Sequence, residues 1–427
     1  MAPERAVEDI ATDFKAWLEE SWDPDISLRE WWARLADSGW AAPTWPEQGH
    51  GRGLTAKGAA VVREMLAEAR APGPPAGLGL MLAGPTIIAH GTDEQKQRYL
   101  RPILSGEEAW CQLFSEPGAG SDLASLQCRA VQDGDEWIIN GQKVWTSGGQ
   151  LADLGMLLAR TNPDAAKHKG ITYFAIDMNQ PGIEVRPLRE MTGRALFNEV
   201  FFTDARVRSD AIIGGLNEGW AVALTTLANE RVALGGGGGA VGNVPGPRGG
   251  MLELRAGDVG ARSGRGRTGT AAAMGARGFD MLRRLSEQLG RSQDPMVRQK
   301  LAQLYTLDEI SRYTQLRAKS ALAQGGRPGP EVSTGKLQIS RITRLSRDLG
   351  MEILGASGML HGSDAPMNGA VQELALFSPA VSIYGGSDEI QHNIIGERVL
   401  GLPKEPATDK GVPFRDLKVG TQATARS

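Results

Sequence analysis

Only two cysteines, Cys111 and Cys128, and five histidines occur in the 427 residues. Two cysteines cannot build a disulfide framework, and the reducing cytoplasm is the expected compartment. The histidines (His50, His90, His168, His361, His392) fall without ligand spacing, so no metal site is expected. No apolar run reaches the ~20 residues of a spanning helix, and the first residues lack the basic-then-apolar layout of a secretory signal. An excess of one charge is missing too: 47 Lys and Arg against 50 Asp and Glu leave a net charge of −3. Bulk electrostatics therefore points to neither nucleic acid nor a membrane surface as partner. No Gly-Lys-Ser/Thr follows any glycine-rich turn, which excludes a phosphate loop of that type.

What the chain does have is length for several domains around ample apolar material. Residues 1–110 read as helices. "ERAVEDIATDFKAWLEESW" carries apolar residues at helical spacing, and Thr92 with Gln95 predicts a capping box at the start of another helix. Residues 111–212 read as an antiparallel β domain. Asp133-Gly134 and Asn140-Gly141 suit tight hairpin turns, with "EWII" a short strand between them, and "LGMLLAR", "GITYFAI", "IEVRPL" and "NEVFFTDARV" follow. Helical patterns return over 213–403, and 404–427 reads as a tail.

One stretch near 235–278 interrupts the second helical region. It is rich in glycine, with six arginines (Arg248, Arg255, Arg262, Arg265, Arg267, Arg277) against Glu253 and Asp258. This composition predicts a mobile loop that adds little to the core. An Arg/Gly segment could also bind RNA, but no aromatic side chain for base stacking occurs before Phe279.

Two clusters combine polar groups with glycines. In "WCQLFSEPGAGSDLASL" (110–126), Gly118 and Gly120 permit close backbone approach, with Ser115, Ser121 and Asp122 beside them. On physics alone this could equally be an ordinary turn. "KVWTSGG" (143–149) puts Trp145 and Ser147 two residues apart at a strand end, which suits a planar aromatic ligand as well as a core indole.

The order of a helical segment, "FSEPGAGSD", "KVWTSGG", a second helical segment and "IYGGSDEIQHNIIGERVLGLP" (383–403) resembles the acyl-CoA dehydrogenase family. The resemblance spans the chain except the Gly/Arg stretch and the last twenty or so residues. It implies an α+β multi-domain fold: an N-terminal helical domain, a middle antiparallel β-barrel and a C-terminal four-helix bundle. It also implies FAD held between the β domain and the C-terminal helices, an acyl-CoA substrate, an electron-transfer flavoprotein as acceptor, and a homo- or hetero-oligomer (dimer or tetramer). By position, Gln112, Phe114, Ser115, Gly120 and Ser121 would contact flavin and ribityl phosphate, Trp145 would stack near the ring, and Ser147 would lie near N5. Ser387 and Glu389 match further cofactor contacts, and Tyr384 and Gly385 match substrate positions. "MEILGASGML" (351–360) resembles the segment that touches a neighbour's adenosine. Two departures stand out: Glu352 replaces a family glutamine, and Ser286 in "SEQLG" stands where the family has the arginine of Arg-x-x-Phe-Gly.

Such chemistry needs a carboxylate to take the proton α to a thioester, held where water is excluded so that its pKa rises. Most of the family places it directly after the tyrosine of the C-terminal motif, where this chain has Gly385. A smaller branch uses the glutamate of an "ERxxLxGG" helix. In "LANERVALGGGGG" (227–239) that residue is Glu230, with Arg231 beside it, placed at the start of a helix-like segment that ends in glycine. Arg231 suits a substrate role or an ordinary helix ion pair. The resemblance thus implies FAD-dependent α,β-dehydrogenation of an acyl-CoA, similar to bacterial members acting on steroid side-chain thioesters. Alternatives are an acyl-CoA oxidase or flavin monooxygenase of the same fold, or a non-catalytic subunit of a heteromeric complex.

Overall fold

Apolar residues four apart decide the first helix. In α1 (Val7–Ser21), Ile10, Phe14 and Leu18 share one buried face. Helices α2 (Leu28–Asp37), α3 (Ala56–Glu68), α4 (Gly84–His90) and α5 (Asp93–Ser105) complete the N-terminal layer. The capping box expected at Thr92 and Gln95 is present at the head of α5. This computed structural model describes residues 6–235, 250–263, 278–323, 329, 333–406 and 409–418.

Seven strands follow: β1 (Trp110–Leu113), β2 (Arg129–Asp133), β3 (Glu136–Ser147), β4 (Leu154–Arg160), β5 (Ile171–Asp177), β6 (Ile183–Leu188) and β7 (Phe197–Arg208). Their order is β1-β4-β2-β3-β7-β6, with β5 also on β4. The sheet is mixed, which corrects the expected antiparallel barrel: β1 runs parallel to β4, pairing Gln112 with Met156. The reason lies in "LGMLLAR". All seven residues of β4 are buried, the pattern of a strand covered on both faces rather than of one alternating toward water.

Of the two expected turns, one forms. Asp133 pairs with Glu136 across Gly134-Asp135, and Gly134 has φ +66°. Asn140-Gly141 instead lies inside β3, at a break in its register with β7. A Cβ on Gly141 would lie 2.7 Å from Cys128 Cα, so glycine serves close packing there rather than chain reversal.

The second helical region opens with α6 (Gly219–Gly235). Helices α8 (Gly278–Gln288), α9 (Pro295–Ala323), α10 (Ser333–Leu354) and α11 (Ala370–Val381) pack on one another around Leu282, Leu304, Leu349 and Val371, and α12 (Asp388–Ile394) lies against α10. Among the described residues no helix is long and apolar enough to cross a membrane.

The Gly/Arg stretch gives the largest correction. Its middle, residues 250–263, is an ordered element docked on the N-terminal domain and ending in α7 (Ala256–Ser263). Leu28 N donates to Leu254 O at 2.7 Å, Arg29 N to Leu252 O at 2.8 Å, and Ala256 N to Ile26 O at 2.9 Å. Leu252 (1 % exposed) and Ala256 enter the core of α1–α3, and Arg29 pairs with Glu253 at 2.6 Å. Composition averaged over the whole stretch hides Leu252, Ala256 and Val259, spaced as on one helix face. The flanks, 236–249 and 264–277, lie outside the described residues. Leu252→Ala should cost about 2–5 kcal/mol, the usual range for a buried leucine. Urea unfolding measures it, and a loss below ~0.5 kcal/mol, typical of a surface site, would restore the loop reading.

Candidate active site

The two glycine-bearing clusters meet at one sheet edge. Val144 N donates to Ser115 O at 2.9 Å, which stitches the start of "FSEPG" to β3. Below them, Lys143 is fully buried; its Nζ donates to Glu116 Oε1 at 2.8 Å and to Phe114 O at 3.0 Å. Glu116 also accepts from Gln127 N and Cys128 N at 2.7 and 2.9 Å. The loop above is open: Gly120 and Ser121 are exposed, and a Cβ on Gly120 would meet nothing within 4 Å.

Trp145 has φ +62° at a second register break of β3 against β7. That conformation is costly for a bulky residue. It turns the indole outward, 61 % exposed, with its ring 5.9 Å from Phe197 and edge-on to it. Thr146 is buried and Ser147 half-buried beside it. Phe114 lies deeper than the motif around it. Its ring is 4 % exposed and packs edge-on against Tyr173 at 5.9 Å, so the ring belongs to the core and only its backbone is left to face a ligand.

Glu230 and Arg231 sit near the end of α6, not at the start of a helix as the sequence suggested, because Gly219–Asn229 is already helical. Gln112 Nε2 of β1 donates to Glu230 Oε2 at 3.4 Å, which brings the acid to the glycine-bearing motif. Burial raises the Glu230 carboxyl above its ordinary value, and the Gln112 hydrogen bond and Arg231 charge offset this only in part. Arg231 is half-buried, and burial lowers its pKa against the pull of Glu230.

Three residues that motif reading missed, Thr86, Tyr173 and His90, pin this helix from outside. Thr86 Oγ1 lies 2.9 Å from Thr226 Oγ1, one turn before Glu230, and Tyr173 OH is 3.4 Å from the same hydroxyl. His90 Nε2 meets Thr225 Oγ1 at 2.8 Å. Single hydroxyls scattered over three elements leave no local sequence pattern to find them by.

In the C-terminal motif Gly385 has φ +65° and Gly386 φ +82°. A side chain at 385 would adopt a left-handed conformation, at about 1–2 kcal/mol. Asp388 is an ion-paired hub: Lys336 Nζ at 2.9 Å, Ser340 Oγ at 2.8 Å and Arg344 Nη2 at 3.2 Å all donate to it. Burial opposes its charge, but these partners outweigh burial and hold the carboxyl below the usual range. Ser387 caps α12 by accepting from Ile390 N, and Glu389 is exposed in the first turn, its pKa lowered by its own backbone N–H and Ser387. Tyr384 is half-buried, 6.2 Å from the Phe377 ring. Ser286 is buried and donates to Arg283 O, while Glu352 pairs with Lys300. Among the described residues no group of three or more His, Cys, Asp or Glu could hold a metal ion.

Models of the N-terminal, middle and C-terminal domains of acyl-CoA dehydrogenase match residues 2–107, 111–205 and 262–400. The chain belongs to the acyl-CoA dehydrogenase family. It is therefore an enzyme, an oxidoreductase, with the three-domain architecture of that family. Acyl-CoA dehydrogenase IpdE1 of Mycobacterium tuberculosis is 38% identical over 383 residues, 88% of each chain. Acyl-CoA dehydrogenase FadE34 of the same organism is 40% identical over 370 residues, 87% of this chain and 46% of that one. Among solved structures, the Tcur3481-Tcur3483 steroid ACAD superposes with a TM-score of 0.70 at 26% identity, covering 95% of this chain and 100% of the other. The ChsE4-ChsE5 complex from Mycobacterium tuberculosis gives 0.67 at 26%, with the same coverage.

Proposed function

We propose that this acyl-CoA dehydrogenase oxidises the α–β bond of an acyl-CoA thioester with FAD as cofactor and Glu230 as the α-proton base. The observation that carries the reading is the contrast among three carboxylates. Glu230 is half-buried, with its pKa raised by burial, and adjoins the glycine-bearing motif, while Asp388 is consumed by ion pairs and Glu389 is exposed. Gly385, in its left-handed turn, supplies no acid.

The residues present fit FAD. The outward indole of Trp145 offers a stacking face, Ser147 a hydroxyl, and the open Gly120-Ser121 turn unobstructed backbone; Ser387 and Glu389 lie at the head of α12. We place FAD against this edge and a four-helix bundle made by α8–α11. Bound there, FAD supplies the acceptor for the hydride that leaves Cβ. Glu230 takes the Cα proton, and its oxygen must lose its own proton first. Gln112 orients that carboxylate through its amide, and Arg231 supplies positive charge beside it.

The acid–base sign follows. A base works in its charged form, so flavin reduction should rise as pH climbs through the elevated Glu230 pKa. Gln112→Leu deletes a hydrogen bond to the charged form, so that rise should move to higher pH. Anaerobic stopped-flow bleaching across pH checks both; an unmoved profile in Gln112→Leu would remove the amide from the mechanism.

The visible spectrum of the purified protein, alone and with candidate partner chains, tests the cofactor. Flavin absorbance that bleaches with an acyl-CoA is expected; its absence after FAD addition, partner present, would overturn the reading. Relatives solved as ChsE4-ChsE5 and Tcur3481-Tcur3483 support an assembly and a bulky acyl group such as a steroid side chain, with electrons leaving to an electron-transfer flavoprotein. Buried Ser286 and the Glu352–Lys300 pair favour a second reading, a subunit that completes another chain's site. Flavin present only on the partner would select it.

A further inference from the structure

The expected tail contains a built element. Its residues Asp409–Leu417 fold back onto the connection between β4 and β5. Phe414 N donates to Ala165 O at 2.9 Å and Arg415 N to Pro163 O at 3.0 Å, and Ala166 bridges Pro413. Arg415 pairs with Asp164 at 2.7 Å. Phe414 is buried, its ring lying 3.6 Å from the guanidinium carbon of Arg160.

Arg160 and Lys167 connect this strap to the glycine-bearing loop. The buried guanidinium of Arg160 donates through Nη2 to Ala124 O at 2.7 Å and Leu126 O at 3.4 Å, and through Nη1 to Lys167 O at 2.6 Å. Lys167 Nζ lies between two carboxylates, Asp122 Oδ1 at 3.0 Å and Asp409 Oδ2 at 2.7 Å. Burial lowers the Arg160 pKa to about 10, so it stays charged at neutral pH and gains from the aromatic face above it. The ties within the loop lie toward its two ends: Glu116 and Ala119 exchange backbone hydrogen bonds, Ser125 and Leu126 close a 3-10 turn on Asp122 and Leu123, and the Glu116 carboxylate accepts from Gln127 N and Cys128 N. Its open end, Gly118, Gly120 and Ser121, is exposed. The strap thus closes the far side of a loop whose near side rests on Lys143.

We propose that Asp409–Leu417 is a positioning element of the candidate site. It holds the 115–126 loop through Lys167 and Arg160 and so sets how tightly the site binds FAD. The second clause rests on the flavin reading above. Phe414 and Asp409 touch no reacting atom in this scheme; they act through Arg160 and Lys167.

The test uses the full chain carrying Asp409→Asn with Phe414→Ala, beside Phe414→Tyr as the conservative variant. Amide hydrogen exchange is measured on the flavin-free protein, and FAD affinity by titration. Exchange over 117–127 should quicken about tenfold while α1–α5 keeps its protection, and the FAD dissociation constant should rise about tenfold. Phe414→Tyr should restore both. A uniform loss of protection across the chain would mean a merely structural role and overturn the proposal. Unchanged exchange over 117–127, or a loosened loop with unchanged FAD affinity, would overturn it as well. A wild-type chain that binds no FAD would overturn the flavin reading and the affinity clause. The exchange arm needs no flavin and would still decide whether the strap holds the loop.

Discussion

Glu230→Gln should slow flavin reduction by about 10²–10⁴-fold, the range for losing a positioned general base. The change keeps the volume of the side chain and its contact with Gln112 Nε2, now to an amide oxygen. FAD content and acyl-CoA binding should therefore survive. Anaerobic stopped-flow bleaching isolates the step from onward electron transfer. Near wild-type bleaching would sink the assignment, and Glu389 would be the next acid to test, because Asp388 is held by Lys336, Ser340 and Arg344. A variant stripped of FAD would be repeated in excess cofactor, so that slow chemistry and an empty site are told apart.

The second large effect concerns stability. Lys143→Met should destabilise the protein by about 3–5 kcal/mol, because it strands the Glu116 carboxylate in the interior. Lys143 is 0 % exposed, and its departure also frees the Phe114 carbonyl at the root of the glycine-bearing loop. Against a usual total of about 5–15 kcal/mol, that is a major fraction. Chemical denaturation gives the number. Adding Glu116→Gln should recover part of the loss by removing the stranded charge, and only part, because an amide offers one acceptor oxygen where Gln127 N and Cys128 N use two. If the single change is nearly silent, the pair is not what holds the loop.

The parts of this architecture that were legible in the sequence are those set by neighbours in the chain. Thr92 and Gln95 make their capping box within four residues, and Gly134 turns its hairpin on local backbone preference. Glu230 stands out in the sequence as a candidate base because a motif surrounds it and position 385 is glycine. Reading failed where distant parts decide. Asn140-Gly141 suits a turn, yet pairing with β7 and contact with Cys128 keep it in a strand. "LGMLLAR" was recognisable as a strand, but its parallel neighbour β1 lies across a long connection. The strap offers one aromatic in a polar tail, and the guanidinium that receives it is over two hundred residues away.

The docking of residues 250–263 also bears on the order in which the protein can assemble. Arg29 and Glu253 are 224 positions apart, so the first helical layer is left with a gap until the chain has grown well past the β domain. At ribosomal rates of ~5–20 residues per second, about 7–30 seconds separate the emergence of Leu104 from that of Leu252. During that interval the face that Leu252 and Ala256 will cover, among Trp31, Leu35 and Val62, is open to whatever apolar surface reaches it first. A domain that looks finished by its helix count is, in time, among the last to close.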